Sequence, residues 1–152
     1  MLKIWLFALT LILIFLFCRL FFLTENPTHT SVNFNGQKFD LEIAKTISQR
    51  TQGLSGRSSL CQNCGMIFVF SGESILPFWM KDTLIPLDLI WLNSQGQVVS
   101  IQTASPQPNT PITQLKNYKN STPAKYVIEL NANTAANIKL QVGDIVTLPK
   151  SL

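Results

Sequence analysis

The sequence has little of what most catalytic and metal sites are made from. It contains one histidine, His29, with seven glycines and three cysteines in 152 residues. A serine hydrolase needs a histidine beside its nucleophile, and His29 lies in a short polar stretch away from any sharp serine turn. The sequence also has no glycine-rich phosphate loop and no dense cluster of His, Asp and Glu. These absences predict no catalytic residues, no bound metal and no cofactor.

Charged residues are also few and of mixed sign. They make up 13% of the chain, whose formal net charge is +4. Lys3 and Arg19 lie in the first 23 residues, which leaves ten basic against eight acidic residues from Thr24 onward. These charges form no basic run and no stripe along one face. We therefore do not expect nucleic acid among the partners.

Apolar residues, in contrast, are concentrated at the N-terminus. Residues 4–23 form a nearly continuous apolar run that Arg19 interrupts. Twenty residues in a helix match the roughly 30 Å hydrocarbon core of a bilayer, and an arginine near one end can reach the headgroups. The run therefore predicts an N-terminal transmembrane helix within residues 1–23 and makes the membrane itself a partner.

Two interpretations of this segment remain open, a cleaved signal peptide and an uncleaved anchor. Cleavage needs small residues just after the apolar stretch, and the residues here are bulky, so we favour an anchor. Lys3 precedes the run, and Thr24 and Glu25 follow it. The positive-inside rule then places the N-terminus in the cytoplasm and the remaining chain outside it, in a periplasmic or extracellular position. Residues 24–31 would be a linker.

Residues 32–150 have the pattern of one β-rich domain. Alternating apolar residues around Asn35-Gly36 predict a hairpin with a type I′ turn. Thr46 and Gln49 form a capping box that begins one short helix, which Gly53 ends. Further strands are predicted at 66–70, 87–92, 98–103, 125–130 and 142–146, with a helical turn at 133–137 and a proline-rich loop at 104–123. We expect a mainly β fold, β-rich α+β in type, in which an antiparallel or mixed sheet forms a compact barrel-like domain.

Several ordered motifs are similar to those of one family. The most specific is the string Phe78-Trp79-Met80-Lys81-Asp82-Thr83-Leu84-Ile85-Pro86-Leu87-Asp88, and Gly65-Met66-Ile67-Phe68-Val69-Phe70 precedes it. Pro123-Ala124-Lys125-Tyr126-Val127-Ile128-Glu129-Leu130 and Val142-Gly143-Asp144 follow it. Over about residues 32–148 the chain resembles the domain of unknown function 192 family. The resemblance implies a small β-rich domain, often exported or anchored to a membrane, and no particular reaction.

The chain departs from the family pattern at Ser55, where a methionine is usual, and at Cys61 and Cys64. Two nearby cysteines in an oxidising compartment usually pair, so we expect a disulfide. A thiol-redox centre remains an alternative, although such a centre sits at the start of a helix and a strand is predicted here. A metal site also remains open, because two chains together could supply four thiolates.

The string from Phe78 to Thr83 is the main candidate for a binding cleft. Trp79 offers a flat apolar surface with one donor, which suits a sugar, a peptide or an aromatic ligand. We expect Trp79 and Lys81 on the cleft wall, where the string meets the proline-rich loop, with Asp88 behind them. Met80, Asp82 and Thr83 complete the candidate string. The competing interpretation places Met80 in the core and leaves Lys81 and Asp82 solvated in a turn.

Arg50, Asp88 and Glu129 are further candidates for this cleft. Asp88 and Glu129 lie in apolar strands, so each either points to solvent or is buried and paired. A buried salt bridge to Arg50, Arg57 or Lys81 is the expected arrangement for Asp88. A hydrolase with paired carboxylates is a weaker alternative. The sequence as a whole predicts a membrane-tethered binding or interaction module outside the cytoplasm, with a thiol-redox or metal-dependent enzyme that uses Cys61 and Cys64 as the alternative.

Overall fold

The computed structural model describes residues 29–150 and Leu152 of the chain. The predicted anchor and most of the predicted linker lie outside these residues. Across the described part, no helix is both long enough and apolar enough to cross a bilayer. The described residues form six strands, β1 to β6, and two short α-helices, α1 and α2. In chain order these are β1 (His29–Phe34), β2 (Gln37–Ala44), α1 (Ile47–Gln52), β3 (Cys64–Ser74), β4 (Leu87–Leu92), β5 (Val98–Ala104), β6 (Ala124–Asn131) and α2 (Thr134–Asn137).

The strands form one mixed sheet in the order β1-β2-β3-β6-β4-β5. The prediction of a mainly β, mixed sheet is confirmed, whereas the prediction of a compact, barrel-like domain is wrong, because the sheet is not closed. The predicted last strand, 142–146, does not join a ladder. It contributes only an isolated bridge from Ile145 to Gln97, and Thr147 adds another to Asn33. The six-stranded sheet therefore stays open.

Local signals account well for the individual elements. Asn35 and Gly36 join β1 to β2 with φ angles of +49° and +88°, as a type I′ turn requires. The Thr46 hydroxyl accepts a hydrogen bond from the Gln49 amide, and the Gln49 side chain accepts one from the Thr46 amide. Both predictions are confirmed. The first strand begins at His29, so part of the predicted linker belongs to the sheet.

Two long-range pairings decide where the side chains face. Strands β2 and β3 are parallel, because α1 carries the chain back to the starting edge of the sheet. Strand β6 lies in the middle, antiparallel to both β3 and β4. Residues on β6 are therefore flanked by buried strands on both sides.

Apolar side chains cover both faces of the sheet. On one face Ile67, Ile90 and Ile128 pack with the short helix α2. On the other face Phe68, Leu89 and Val127 pack with residues that follow α1 and β3. We call the second of these the α1 face. Because apolar side chains pack on both faces, a charged side chain on either face of a central strand loses most of its contact with water.

The segment between β3 and β4 is held firmly against the α1 face. The Trp91 indole N–H donates to the Leu76 carbonyl oxygen over 3.1 Å. The Leu76 amide donates to the buried side-chain oxygen of Asn120 over 2.7 Å. Phe78 and Tyr118 exchange two backbone hydrogen bonds of 2.7 and 2.8 Å. These contacts fix the position of the aromatic string that begins at Phe78.

Candidate functional site

A pocket of about 200 Å³ opens on the α1 face. Its walls come from three parts of the chain: α1 and the residues after it, the middle of β3, and the segment that carries the aromatic string. Its floor is on β6. The lining residues are Ile47, Arg50, Thr51, Gln52, Gly53, Leu54, Ser55, Phe68, Phe70, Pro77, Phe78, Trp79, Thr83 and Glu129.

Glu129 is the acidic residue on the floor of this pocket. It is 5% exposed, and its neighbours across the sheet are the buried residues Met66 on β3 and Leu89 on β4. Its carboxyl group makes no hydrogen bond and no ion pair with any described residue. Burial raises the pKa of Glu129 to about 8, against an opposing effect of the Arg57 charge. Glu129 is therefore largely a neutral carboxylic acid at pH 7, able both to donate and to accept a hydrogen bond.

Arg57 influences Glu129 from a distance because it is already paired. Its guanidinium binds both carboxylate oxygens of Glu42, and the Nη2–Oε2 distance is 2.6 Å. This hydrogen bonding lowers the pKa of Glu42 and raises the pKa of Arg57. Arg57 consequently stays charged and oriented toward β2, and it leaves the Glu129 carboxyl group free to meet a ligand.

Arg50 provides the cation that lines the pocket. Its guanidinium lies over the Phe70 ring, with 4.9 Å from the central carbon to the ring centroid. Its Nη1 atom donates to the carbonyl oxygen of Val69 over 3.1 Å and also to that of Lys45. Its Nε and Nη2 atoms make no hydrogen bond within residues 29–150. Arg50 is thus held in place by one nitrogen and a ring, with further donors left for a ligand.

Aromatic rings form much of the remaining wall. Phe78 meets the rings of Phe68, Phe70 and Trp91 edge to face, at centroid distances of 4.9, 6.4 and 6.1 Å. Trp79, by contrast, is 50% exposed and lies at the opening. Because Trp79 is not packed in the core, its ring can pack against a bound ligand without disrupting core contacts.

Two hydrogen bonds join the two walls of the opening. The Ser55 hydroxyl donates to the Lys81 carbonyl oxygen over 2.8 Å. The Gly56 amide donates to the Asp82 carbonyl oxygen over 2.9 Å, where Asp82 has a φ of +53°. Ser55 therefore has a structural role of its own, since it ties the residues after α1 to the aromatic string.

The predicted string divides between the core, the pocket and the surface. Met80 is fully buried, and Thr83 is buried at the pocket wall. The Lys81 ammonium pairs with the adjacent Asp82 carboxylate at the surface, and neither residue lines the pocket. Trp79 lines the pocket, and its role as a binding residue stays a prediction. Lys81 was expected on the cleft wall, and the structure places it at the surface, where it pairs with Asp82.

Asp88 lies on the opposite face of the sheet from Glu129. Its carboxylate accepts hydrogen bonds from the Thr103 hydroxyl, over 2.7 Å, and from the Ala135 amide, over 2.9 Å. The expected salt bridge to Arg50, Arg57 or Lys81 is absent among the described residues. Asp88 therefore anchors α2 to the sheet and cannot form a carboxylate pair with Glu129.

Cys61 and Cys64 form a disulfide at the start of β3. The two residues also close a turn, in which the Cys64 amide donates to the Cys61 carbonyl oxygen over 3.1 Å. Neither cysteine lines the pocket. No group of three or more His, Cys, Asp or Glu side chains that could hold a metal ion occurs within the described part of the chain.

A second pocket lies on the other side of Trp79. Pro77, Phe78 and Trp79 form one wall, and Ile112, Leu115, Lys116 and Asn117 of the proline-rich loop form the other. This is where the sequence placed the cleft. The sequence did not identify the pocket over Glu129, because its aromatic walls, Phe68 and Phe70, read as ordinary core positions of a buried strand. In the sequence, the only sign of this pocket was a glutamate, Glu129, within an otherwise apolar strand.

The comparisons with known proteins agree with this fold. A profile of the domain of unknown function 192 family, described as an uncharacterized ACR, matches residues 30–148. A protein of unknown function from Novosphingobium aromaticivorans DSM 12444 is 27% identical, with a TM-score of 0.67 over 80% of this chain and 85% of that one. A Sinorhizobium meliloti 1021 protein described as a "putative transcription regulator" is 29% identical, with a TM-score of 0.67. That match covers 80% of this chain and 96% of the Sinorhizobium chain. The search of curated proteins found no match. Because the family profile covers most of its length, the chain belongs to the domain of unknown function 192 family.

Proposed function

We propose that this domain is a binding module for a small ligand, which it takes up in the pocket over Glu129. The proposal rests on the burial of the Glu129 carboxyl group and on its lack of a hydrogen-bond partner among the described residues. A carboxyl group that is only 5% exposed and has no partner among the described residues is costly to a fold, and such groups persist mainly where they serve a purpose. Here the carboxyl group faces an open pocket whose walls are largely aromatic.

The proposal includes a location outside the cytoplasm, on a membrane tether formed by residues 1–23. The Cys61–Cys64 disulfide supports this part, since disulfides persist in oxidising compartments. It gives less support to the thiol-redox alternative, because Cys64 begins a strand and no helix N-terminus stabilises its thiolate. The description of the Sinorhizobium relative would suggest nucleic acid, but the scattered charges of this chain do not favour it.

Benzamide is a suitable probe because it is flat, neutral and carries both a donor and an acceptor. It should bind the full-length protein in detergent at one site, measured by calorimetry and by shifts of backbone amide resonances around the pocket. Trp79→Ala should weaken binding by at least about thirtyfold, since a tryptophan anchor commonly contributes roughly 2 kcal/mol or more. Its melting temperature should change little, because half of the side chain is already exposed.

Leu84→Ala is the matched control. Leu84 is 45% exposed, lies in the same segment and lines neither pocket beside Trp79. Its loss should leave benzamide binding unchanged. Equal binding by the wild type and Trp79→Ala, or resonance shifts away from the pocket, would refute the proposed site.

A further inference from the structure

We infer that the ligand of the pocket over Glu129 is a small zwitterion, with an ammonium group and a carboxylate group joined by a compact apolar frame. This inference rests on the proposed function and specifies its ligand. Among the residues that line the pocket, only Arg50 and Glu129 are ionisable. They form no ion pair with each other. One cationic and one acidic side chain are therefore both available to the same ligand.

The acidic end suits an ammonium group. The Glu129 carboxyl group has no hydrogen-bond partner among the described residues and is flanked by apolar neighbours, so an incoming cation would meet an acceptor that no described residue already occupies. The pocket that contains Glu129 is also lined by the aromatic rings of Phe78 and Trp79, and an aromatic face attracts a cation. When the ammonium binds, Glu129 gives up its proton to solvent and the pair becomes an ion pair.

The basic end suits a carboxylate. Arg50 is already oriented by Phe70 and by the carbonyl oxygens it binds, so little side-chain entropy is lost when a ligand arrives. Its unused Nε and Nη2 donors present the parallel geometry that a carboxylate accepts with both oxygens.

Ligands with a single charge satisfy only half of this site. An ammonium without a carboxylate would sit in the same small pocket as the unneutralised Arg50 guanidinium. A carboxylate without an ammonium would leave the Glu129 carboxyl group without a cation. Arg57 cannot take over either role, because Glu42 holds it in a two-pronged pair.

The size and walls of the pocket define the apolar frame. A volume of about 200 Å³ is below the roughly 300–1,000 Å³ of pockets for drug-sized ligands, so the ligand is small. The walls are rich in phenylalanine, which favours an apolar or aromatic body. A free amino acid with an apolar side chain has the required charges and shape.

Three closely related probes separate the two charges. Phenylalanine carries both, phenylalaninamide keeps only the ammonium, and N-acetylphenylalanine keeps only the carboxylate. Binding to the full-length protein in detergent is measured by calorimetry at pH 7. Phenylalanine should bind most tightly, and each analogue should bind roughly ten- to a hundredfold more weakly, as expected for the loss of a charged hydrogen bond. Repeating the titration in buffers of different ionisation enthalpy should show release of close to one proton with phenylalanine and none with N-acetylphenylalanine.

Substitutions of Glu129 and Arg50 test which residue binds the ammonium group of the ligand and which binds its carboxylate. Glu129→Gln should reduce phenylalanine binding to about the level of N-acetylphenylalanine, abolish proton release and leave N-acetylphenylalanine binding unchanged. Arg50→Gln should reduce phenylalanine binding to about the level of phenylalaninamide, and Arg50→Lys, which keeps the charge, should restore part of it. Lys81→Gln is the matched control, since it removes a surface cation that does not line the pocket. Thermal unfolding checks that each variant is folded, and the wild-type comparison of the three probes does not depend on them.

The possible failures are distinct. Phenylalaninamide or N-acetylphenylalanine binding as tightly as phenylalanine would refute the zwitterion. So would the absence of binding by all three probes. If benzamide still bound in a Trp79-dependent manner, the proposed function would stand and only the ligand class would be wrong. If benzamide also failed, both proposals would fall.

Discussion

Replacing Glu129 with glutamine should change how the stability of the domain depends on pH. Burial raises the pKa of Glu129 from 4.5 in a free side chain to about 8 in the folded protein. Between these two values the folded state holds a proton that the unfolded chain has released. Folded stability therefore falls as the pH rises through this window, and it levels off above the folded pKa.

The size of the effect follows from the same two values. Each pH unit across the window costs about 1.4 kcal/mol, so the full interval from 4.5 to about 8 amounts to roughly 5 kcal/mol. Residual structure in the unfolded chain and water entry around the ionised group both reduce this figure, and we expect about 3–5 kcal/mol. Glutamine has the shape of the protonated acid and does not titrate. Because the measurements span only three pH units and the wild type is still titrating at pH 8, the variant should gain about 2–3.5 kcal/mol of stability relative to the wild type between pH 5 and pH 8.

Urea unfolding of both proteins at pH 5 and pH 8, followed by tryptophan fluorescence, provides the measurement. Other groups titrate equally in the two proteins, so the comparison isolates Glu129. Glu42 contributes with the opposite sign and in a lower range: Arg57 holds its pKa below 4.5, so the stability from that pair is present above 4.5 and lost as the pH falls through the lowered pKa. A difference between variant and wild type that stays the same at pH 5 and pH 8 would refute the buried, unpartnered state of Glu129.

Two further predictions concern the disulfide and the tether. Replacing Cys61 and Cys64 together with serine should lower the free energy of unfolding in urea by about 1–2 kcal/mol or less, because so short a loop restricts the unfolded chain little, and it should leave ligand binding intact. A stable double variant that lost its function in cells would instead favour thiol chemistry. On fractionation, the chain should stay with the membrane and expose residues 32–150 to protease added from outside; a soluble protein that begins near residue 24 would contradict the anchor.

The sequence predicted most of the elements because their signals are local. The turn at Asn35-Gly36 depends on two residues that tolerate positive φ, and the start of α1 depends on Thr46 and Gln49 alone. Strand β4 is recognisable because it is short, apolar and followed by a turn. Each of these features is decided within a few residues, where composition and spacing carry the information.

The pairing of the strands could not be predicted in the same way. Nothing near β6 in the chain indicates that it lies between β3 and β4, since both pairings span long stretches of sequence. The barrel-like domain was predicted from a count of strands, and 142–146 was counted although it contributes only an isolated bridge. The partners of Asp88 were missed for a related reason: one of them is the backbone amide of Ala135, and a backbone group has no sequence signature.

These limits explain why Glu129 was recognised as unusual but not as the floor of a pocket. Alternation along β6 shows that Glu129 and Val127 share a face, but it does not show what covers that face. The cover is assembled from α1, from β3 and from the aromatic string, which meet only once β2 and β3 are parallel and β6 is central. Asp88, in a strand of the same character, found donors on the other face and became structural. Two buried carboxyl groups in one sheet thus differ in role: the fold supplies hydrogen-bond donors to Asp88, whereas Glu129 has no partner among the described residues and faces a pocket that a ligand could fill.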